Sequence, residues 1–197
     1  MGALKIKIQY LQNMNHCNND NIKQVIGQII HINMKIAKIW SNAKGWAPDE
    51  VAKLLSRSRL DLQVSLSHTL LLWIKPKVND GHIRLAWANI GALLEGSLKW
   101  FLAVYYKDYL ANPVLDKNRK PVDPDDLKLE QLKQFYAKSI EHIHNKHKSF
   151  IEKAQYRRNG IHTFKNRDIG SQDEVITGIC NYLDFLFDIE VSVPWPD

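Results

Sequence analysis

Apolar residues recur every three or four positions along most of this chain, a spacing that predicts amphipathic α-helices. The first run spans Asn21 to Asn42, with Asp20 as its expected N-cap and Gly45 as its expected stop. Residues 82–110 are apolar almost all round, which indicates the central helix of a bundle. The pattern therefore predicts an all-α fold.

Further helix boundaries follow from local signals. The segment 47–50, Ala-Pro-Asp-Glu, is typical of a first helical turn, with proline early and two acids behind it. The segment 171–174, Ser-Gln-Asp-Glu, matches a capping box and is expected to open a last helix ending near residue 190. Between them, residues 127–139 and 142–163 predict two helices or one interrupted helix.

The segment 60–73 admits two interpretations. Its first residues alternate between apolar and polar side chains, as in a half-buried strand. At helical spacing, Leu62, Leu66 and Leu70 instead form one stripe. We favour a helix, because the chain offers no second strand to pair with this one.

The organisation of the chain is expected to be simple. Residues 1–19 are expected to form an N-terminal arm, and residues 20–197 a single bundle of about five to six helices. Residues 112–126, rich in proline and aspartate, are expected to be an exposed loop. Asn89, Glu95 and Lys99 interrupt the longest apolar run, which favours a buried core helix over a membrane span.

The cysteine content of the chain predicts a cellular compartment. The chain has two cysteines, Cys17 and Cys180, too few for a disulfide framework, and it has no CxxC pair. We therefore expect a reducing, cytoplasmic compartment, with Cys180 as an inert packed thiol. We expect no secretory signal peptide, because lysines interrupt the apolar residues of the first twelve positions.

Charge is unevenly distributed along the chain. Residues 128–167 hold ten basic residues against three acidic ones, and residues 168–197 hold seven acidic residues and no basic one. The basic block can be a solvated helix face, or it can bind an anion such as a phosphate backbone. In the second case the expected RNA-binding residues are five cations of the block and its end: Lys146, Lys148, Lys153, Lys165 and Arg167.

Several catalytic templates are absent from the sequence, among them GxGxxG, the P-loop, HExxH and GxSxG. His142, His144 and His147 invite a metal site, but on a helix these three positions do not converge on one point. We therefore expect neither a metal nor another cofactor.

One segment, residues 154–164, combines groups suited to phosphoryl chemistry. Arg158 and His162 are four residues apart and share a helix face, whereas Arg157 points about 140° away from His162. A guanidinium can bind two phosphate oxygens at once, and an imidazole can transfer protons near neutral pH. Together they can support metal-free RNA cleavage, in which the 2′-hydroxyl attacks the adjacent phosphate.

This segment resembles the R-x4-6-H motif of the HEPN superfamily, in which a polar residue such as asparagine usually follows the arginine. Arg157 and His162 match the spacing, with Asn159 one place late; in the alternative register, Arg158 and Asn159 form the pair, three residues before His162. The runs RRNGIHTFKNRDIGS and HIRLAWANIGALLEGSLKWFLAVYYKDY also look like an uncharacterised bacterial branch of that superfamily. The resemblance covers roughly residues 55–190.

The resemblance implies a helical bundle that homodimerises and brings two motifs into one cleft. Known members include metal-independent endoribonucleases of toxin, phage-defence and RNA-processing systems, some with a partner antitoxin, and also non-catalytic RNA- or nucleotide-binding modules. In the catalytic case His162 transfers the proton, Arg157 or Arg158 stabilises the phosphorane, and Asn159 orients the histidine or the phosphate. The products would be a 2′,3′-cyclic phosphate and a 5′-hydroxyl.

Three functions remain open on the sequence. The first is a ribonuclease, and the second a binding module that uses the same basic surface without cleaving RNA. In the third, Arg157, Arg158 and His162 merely neutralise the acidic C-terminal helix. An exposed His162 would favour the first two, and a His162 buried against Asp173 or Asp184 would favour the third.

Overall fold

A computed structural model describes residues 21–162 and 166–196, and within these ranges the chain is α-helical, without a β-sheet. The all-α expectation is confirmed, but these ranges hold eight α-helices, more than expected. In chain order they are α1 Ile22–Trp40, α2 Asp49–Arg57, α3 Leu60–Thr69, α4 Asp80–Val104, α5 Tyr106–Ala111, α6 Leu129–Ser139, α7 Glu141–Arg158 and α8 Gln172–Ser192.

The structure has more helices than expected because single residues interrupt segments whose apolar pattern continues. Tyr105, at φ −97° and ψ 33°, separates α4 from α5 within the run expected as one helix. Ile140, at φ −142° and ψ 68°, separates α6 from α7, as the two-helix interpretation of residues 127–163 predicts. At Tyr105, one residue outside helical dihedral angles redirects the axis while its neighbours still bury their apolar faces, so periodicity alone does not reveal that break.

Helix α4 occupies the centre of the fold and packs against α2, α3, α6, α7 and α8. Its buried residues lie on every side of the helix, as its apolar composition predicts. Polar groups on it are accommodated by neighbours: Asn89, for example, donates to the backbone oxygen of Leu66 over 3.0 Å. No helix in the described ranges is long and apolar enough to cross a membrane.

Most of the helix boundaries predicted from local sequence signals are confirmed. The backbone of Gly45, at φ 96°, follows α1, and α2 begins directly after Pro48. At α8 the Ser171 hydroxyl accepts from the Glu174 amide, and the Glu174 carboxylate accepts from the Ser171 amide, as a capping box requires. The expected N-cap at Asp20 lies outside the described residues. Residues 112–126 are mostly exposed and contain only an isolated bridge and a short 3-10 turn.

The segment that forms α3 is a helix, as favoured, but its expected apolar stripe is only partly correct, because Leu70 is buried and Leu66 is partly buried whereas Leu62 faces solvent. Leu62 is 47% exposed, whereas Gln63 and Ser67 are buried. The Gln63 amide donates to the backbone oxygen of Leu93 over 2.7 Å, and Asn33 of α1 donates to the Ser67 hydroxyl over 2.8 Å. Because these partners satisfy the polar groups, the polar face of α3 is the one that packs against α1 and α4.

The expectation of an inert thiol at Cys180 is also wrong. Cys180 is buried on α8 and is disulfide-bonded in the structure. The low cysteine content therefore no longer supports a reducing compartment.

Gly178 of α8 generates a stability prediction. A Cβ placed there would lie 2.6 Å from the Trp87 ring, which is fully buried in the core. We expect Gly178→Ala to lower the free energy of unfolding by about 1–3 kcal/mol, because the indole must move. Gly27→Ala is the matched control: a Cβ there meets nothing within 4 Å, so stability should stay equal or rise. Urea unfolding measures both, and a Gly178→Ala variant as stable as the parent would contradict this packing.

Candidate functional site

A cleft of about 720 Å³ opens between α4, the start of α6 and the end of α7. The residues in its wall that can bind or transfer charge are Glu95, Lys99, Asp125, Lys128, Glu130, Gln155, Arg158, Asn159 and His162. Three of the four expected catalytic residues thus share one cavity. The cleft is the candidate site.

The end of α7 positions these three side chains. After Arg158 the chain makes one 3-10 turn, Asn159–Ile161, and His162 follows in extended conformation. Arg84 of α4 donates to the backbone oxygen of Gly160 and so ties the turn to the central helix. His162 itself is exposed. The imidazole is therefore held at the cleft by its backbone and is accessible to a ligand.

Arg158 lies along α4 in a space left by a glycine. A Cβ on Gly91 would lie 2.6–2.9 Å from the Arg158 side-chain carbons, so any larger residue would displace this arginine. At its tip, Nη1 of Arg158 contacts Oε2 of Glu95 at 2.5 Å, and Glu95 also pairs with Lys99 at 3.3 Å. The Arg158 side chain is about a third exposed, so it remains within reach of an anion.

Arg157 faces the opposite side of α7 and does not reach the cleft. Its side chain is 4% exposed, and its Nη2 lies 2.7 Å from Glu174 and 3.3 Å from Asp168. Its guanidinium also lies over the Trp87 ring, 5.0 Å from the centroid. The hydrogen bond from Arg157 is the largest contribution that holds the pKa of Glu174 below its ordinary value. Arg157 thus links α7 to the start of α8 through its ion pair with Glu174.

The expected RNA-binding cations are only partly available. Lys146 pairs with Asp184 at 2.9 Å and Asp188 at 2.7 Å, and Lys153 pairs with Glu174 at 3.4 Å. Lys148 is exposed. Arg167 lies over the Tyr156 ring, and Lys165 falls outside the described residues. Acids of α8 and its N-terminal turn therefore neutralise part of the basic block, as the third hypothesis expects for Arg157.

Six polar residues of the cleft wall were not among the expected site residues: Glu95, Lys99, Asp125, Lys128, Glu130 and Gln155. Glu95 and Lys99 did carry a signal, because two charges in an otherwise apolar central helix need a polar environment. Lys128 and Gln155 carried none, since an isolated surface lysine or glutamine fits any solvent-exposed position.

Side chains of α7 and α8 form a cluster of possible metal ligands, which the spacing of the histidines along the sequence did not predict. His147 is buried, and its ligand atom and those of Asp184 and Asp188 all lie within 4.8 Å of one another. The His147 Nε2 lies 2.7 Å from Asp188. The ammonium group of Lys146 forms ion pairs with both carboxylates and so balances negative charge in the cluster. We therefore assign the cluster of His147, Asp184 and Asp188 a structural role. His142 and His144 do not join it.

The two arginines should differ in their effect on stability. Arg157→Ala removes a buried guanidinium that binds two carboxylates, so we expect a loss of about 2 kcal/mol in the free energy of unfolding. Arg158→Ala removes a partly exposed ion pair and should cost less than about 1 kcal/mol. Chemical denaturation tests both. Equal losses would contradict the division of roles.

The Asp188 network predicts a pH dependence. Burial raises the pKa of Asp188, but hydrogen bonds from His147 and Lys146 outweigh it and hold this pKa below its ordinary value. The carboxylate therefore stabilises the fold above pH about 4, and its contribution is lost as the pH falls through the lowered pKa. We expect Asp188→Asn to be less stable than the parent at pH 7, with a difference that shrinks in acid.

Urea unfolding between pH 7 and pH 3 measures this difference. Asp126→Asn is the control, because Asp126 is exposed and forms no ion pair with any residue that the structure describes. A stability difference for Asp188→Asn that stays constant over this range would contradict the assignment.

Comparison with known proteins adds no support for a function of the cleft. No family model matches the sequence, and no curated protein and no solved structure is detectably similar to it. The cleft and the motif that lines it are therefore the features of the molecule that point to a function.

Proposed function

We propose that this chain is a metal-independent endoribonuclease of the HEPN type, with Arg158, Asn159 and His162 as its catalytic residues. One observation carries the proposal: the exposed imidazole of His162 and the accessible guanidinium of Arg158 line the same cleft. A base and a permanent cation in one cavity are the minimum set for phosphoryl transfer within RNA.

The chemistry needs only these groups and the substrate. The neutral His162 imidazole accepts the proton of the 2′-hydroxyl as O2′ attacks the adjacent phosphorus. The bond from phosphorus to O5′ then breaks, and the imidazolium returns the proton to the leaving oxygen. The products are a 2′,3′-cyclic phosphate and a 5′-hydroxyl. Arg158 stabilises the charge that develops on the phosphorane, and Asn159 positions the phosphate.

Between the two registers of the motif, the contacts favour Arg158 over Arg157. Arg157 is buried and paired with Glu174 and Asp168, so moving it to the cleft would break a buried ion pair. Arg158 only has to exchange Glu95 for a phosphate oxygen at an accessible position. The shorter spacing to His162 is accommodated by the 3-10 turn at Asn159–Ile161.

RNA is the substrate that fits this chemistry, because the attacking group is the 2′-hydroxyl, which DNA lacks. Lys99 and Lys128 of the cleft wall can bind flanking phosphates. A homodimer would add a second Arg–His pair, and exposed Leu85 and Ile161 on the α4 and 3-10 segments offer apolar contact area for it.

A second function, RNA or nucleotide binding without cleavage, is favoured by one contact. Glu95 lies 2.5 Å from the Arg158 guanidinium and competes with a phosphate for it. If this pair persists with RNA bound, Arg158 cannot stabilise the phosphorane, and the cleft acts as a binding site only.

The decisive experiment incubates purified protein with 5′-labelled single-stranded RNA in EDTA. We expect cleavage that leaves 2′,3′-cyclic phosphates, none on the matching DNA, and losses of at least about 100-fold in His162→Ala and Arg158→Ala. His142→Ala is the matched control, because this exposed histidine lies on the same helix outside the cleft wall.

The alternative outcomes separate the hypotheses. Cleavage that persists in His162→Ala at the parent rate would overturn the nuclease proposal and indicate a contaminant. Binding without cleavage would favour the binding module. Loss of activity in Arg157→Ala alone, with the fold intact by circular dichroism, would assign catalysis to the other register.

A further inference from the structure

Two arginines beside the cleft have no carboxylate partner within the described part of the chain. Arg84 and Arg167 form no ion pair with any of residues 21–162 or 166–196, whereas Arg57, Arg59, Arg157 and Arg158 each do. The nearest acid in sequence, Asp168, is directed instead to Arg157 and to the amide of Gly170. The positive charge of both guanidiniums is therefore available to an external anion.

The fold brings these two arginines together at the turn that precedes His162. A Cβ built on Gly160 would lie 3.6 Å from Nη1 of Arg84 and 3.9 Å from Cβ of Arg167, so both residues adjoin the same point. Arg84 uses Nη1 to bind the Gly160 oxygen, and the buried Nε of Arg167 has no hydrogen-bond partner among the residues that the structure describes. A guanidinium carries five N–H donors, so both arginines keep donors for an anion.

Arg84 also continues the wall of the cleft. It lies four residues before Ala88 on α4, and Ala88, Ala92 and Glu95 line the cleft at successive turns. About 16 Å of helix separate Arg84 from Glu95, the partner of Arg158. A chain of phosphates lying along this face would pass Arg158 first and Arg84 a few nucleotides later.

An aromatic ring completes the group. Arg167 lies over the Tyr156 ring, 5.1 Å from its centroid, and Tyr156 is 47% exposed. An exposed ring fixed by a cation on one face offers the other face or its edge to a flat ligand. Unpaired bases of single-stranded RNA stack on tyrosine rings and guanidinium planes in this way.

From these contacts we infer a second nucleotide subsite, in which Arg84 and Arg167 bind a phosphate and Tyr156 stacks an unpaired base of single-stranded RNA. The inference rests on the proposed function in placing the scissile phosphate at Arg158 and His162. It makes the substrate single-stranded, because a base held in a duplex cannot stack on the Tyr156 ring.

Binding is tested with the full chain carrying His162→Ala, so that the RNA stays intact, by fluorescence anisotropy with a labelled single-stranded 12-mer. We expect Tyr156→Ala to weaken binding about tenfold and Tyr156→Phe to leave it within about twofold, because only the ring is needed. Arg167→Gln should weaken binding about tenfold and lower the salt dependence by about one phosphate contact. Lys23→Gln, at an exposed lysine of α1, is the matched control.

Arg84→Lys tests the first arginine while keeping a donor for the Gly160 oxygen, with the fold checked by circular dichroism. It should weaken RNA binding, because lysine cannot bind two phosphate oxygens at once. Unchanged affinity in both Tyr156→Ala and Arg167→Gln would overturn the subsite, as would equal affinity for the single strand and its duplex.

Cleavage by the parent chain, measured separately, distinguishes the two proposals. A parent that cleaves RNA while the subsite variants bind normally would overturn the subsite alone. A parent that never cleaves, with binding that depends on Tyr156 and Arg167, would overturn the nuclease and keep the subsite.

Discussion

The packing around Trp87 is the interaction on which the rest of the structure depends. Its ring is fully buried against Gly178 of α8, and its Nε1 donates to the backbone oxygen of Ile169 over 2.9 Å. Arg157 of α7 lies over the same ring. One side chain of the central helix thus contacts α7, α8 and the segment before α8. This packing holds the end of α7, from which the 3-10 turn and His162 continue.

Charge is arranged in two separate systems around α7. On one side Lys146, Lys153 and Arg157 meet acids of α8 and its N-terminal turn, which binds the two helices together. On the other side Arg158 and Lys99 pair with Glu95 in the wall of the open cleft. A buried cation contributes to stability through its partners, whereas an accessible one can exchange its partner for a ligand. The net charge of the basic block therefore overstates its capacity to bind RNA.

The candidate site could be predicted in part. Helical spacing predicted one helix face for Arg158 and His162, on the expectation of a helix to residue 163. The structure ends α7 at Arg158, and the 3-10 turn and the extended His162 bring both side chains into the cleft wall instead. The same spacing showed that Arg157 points away from His162, but it did not show that Arg157 forms ion pairs with Glu174 and Asp168. Partners from other helices are not encoded in local spacing. The grouping of His147 with Asp184 and Asp188 has the same origin.

The sequence by itself determined the helical class, the capping box of α8 and the central place of α4, because periodicity and end signals are local properties. Only the tertiary structure decided which face of α3 is buried, where single residues break a helix, and which cations remain free. Gln63 and Ser67 are buried because Leu93 and Asn33 supply their hydrogen bonds. Such decisions depend on contacts between residues distant in sequence, whose energies outweigh local preference.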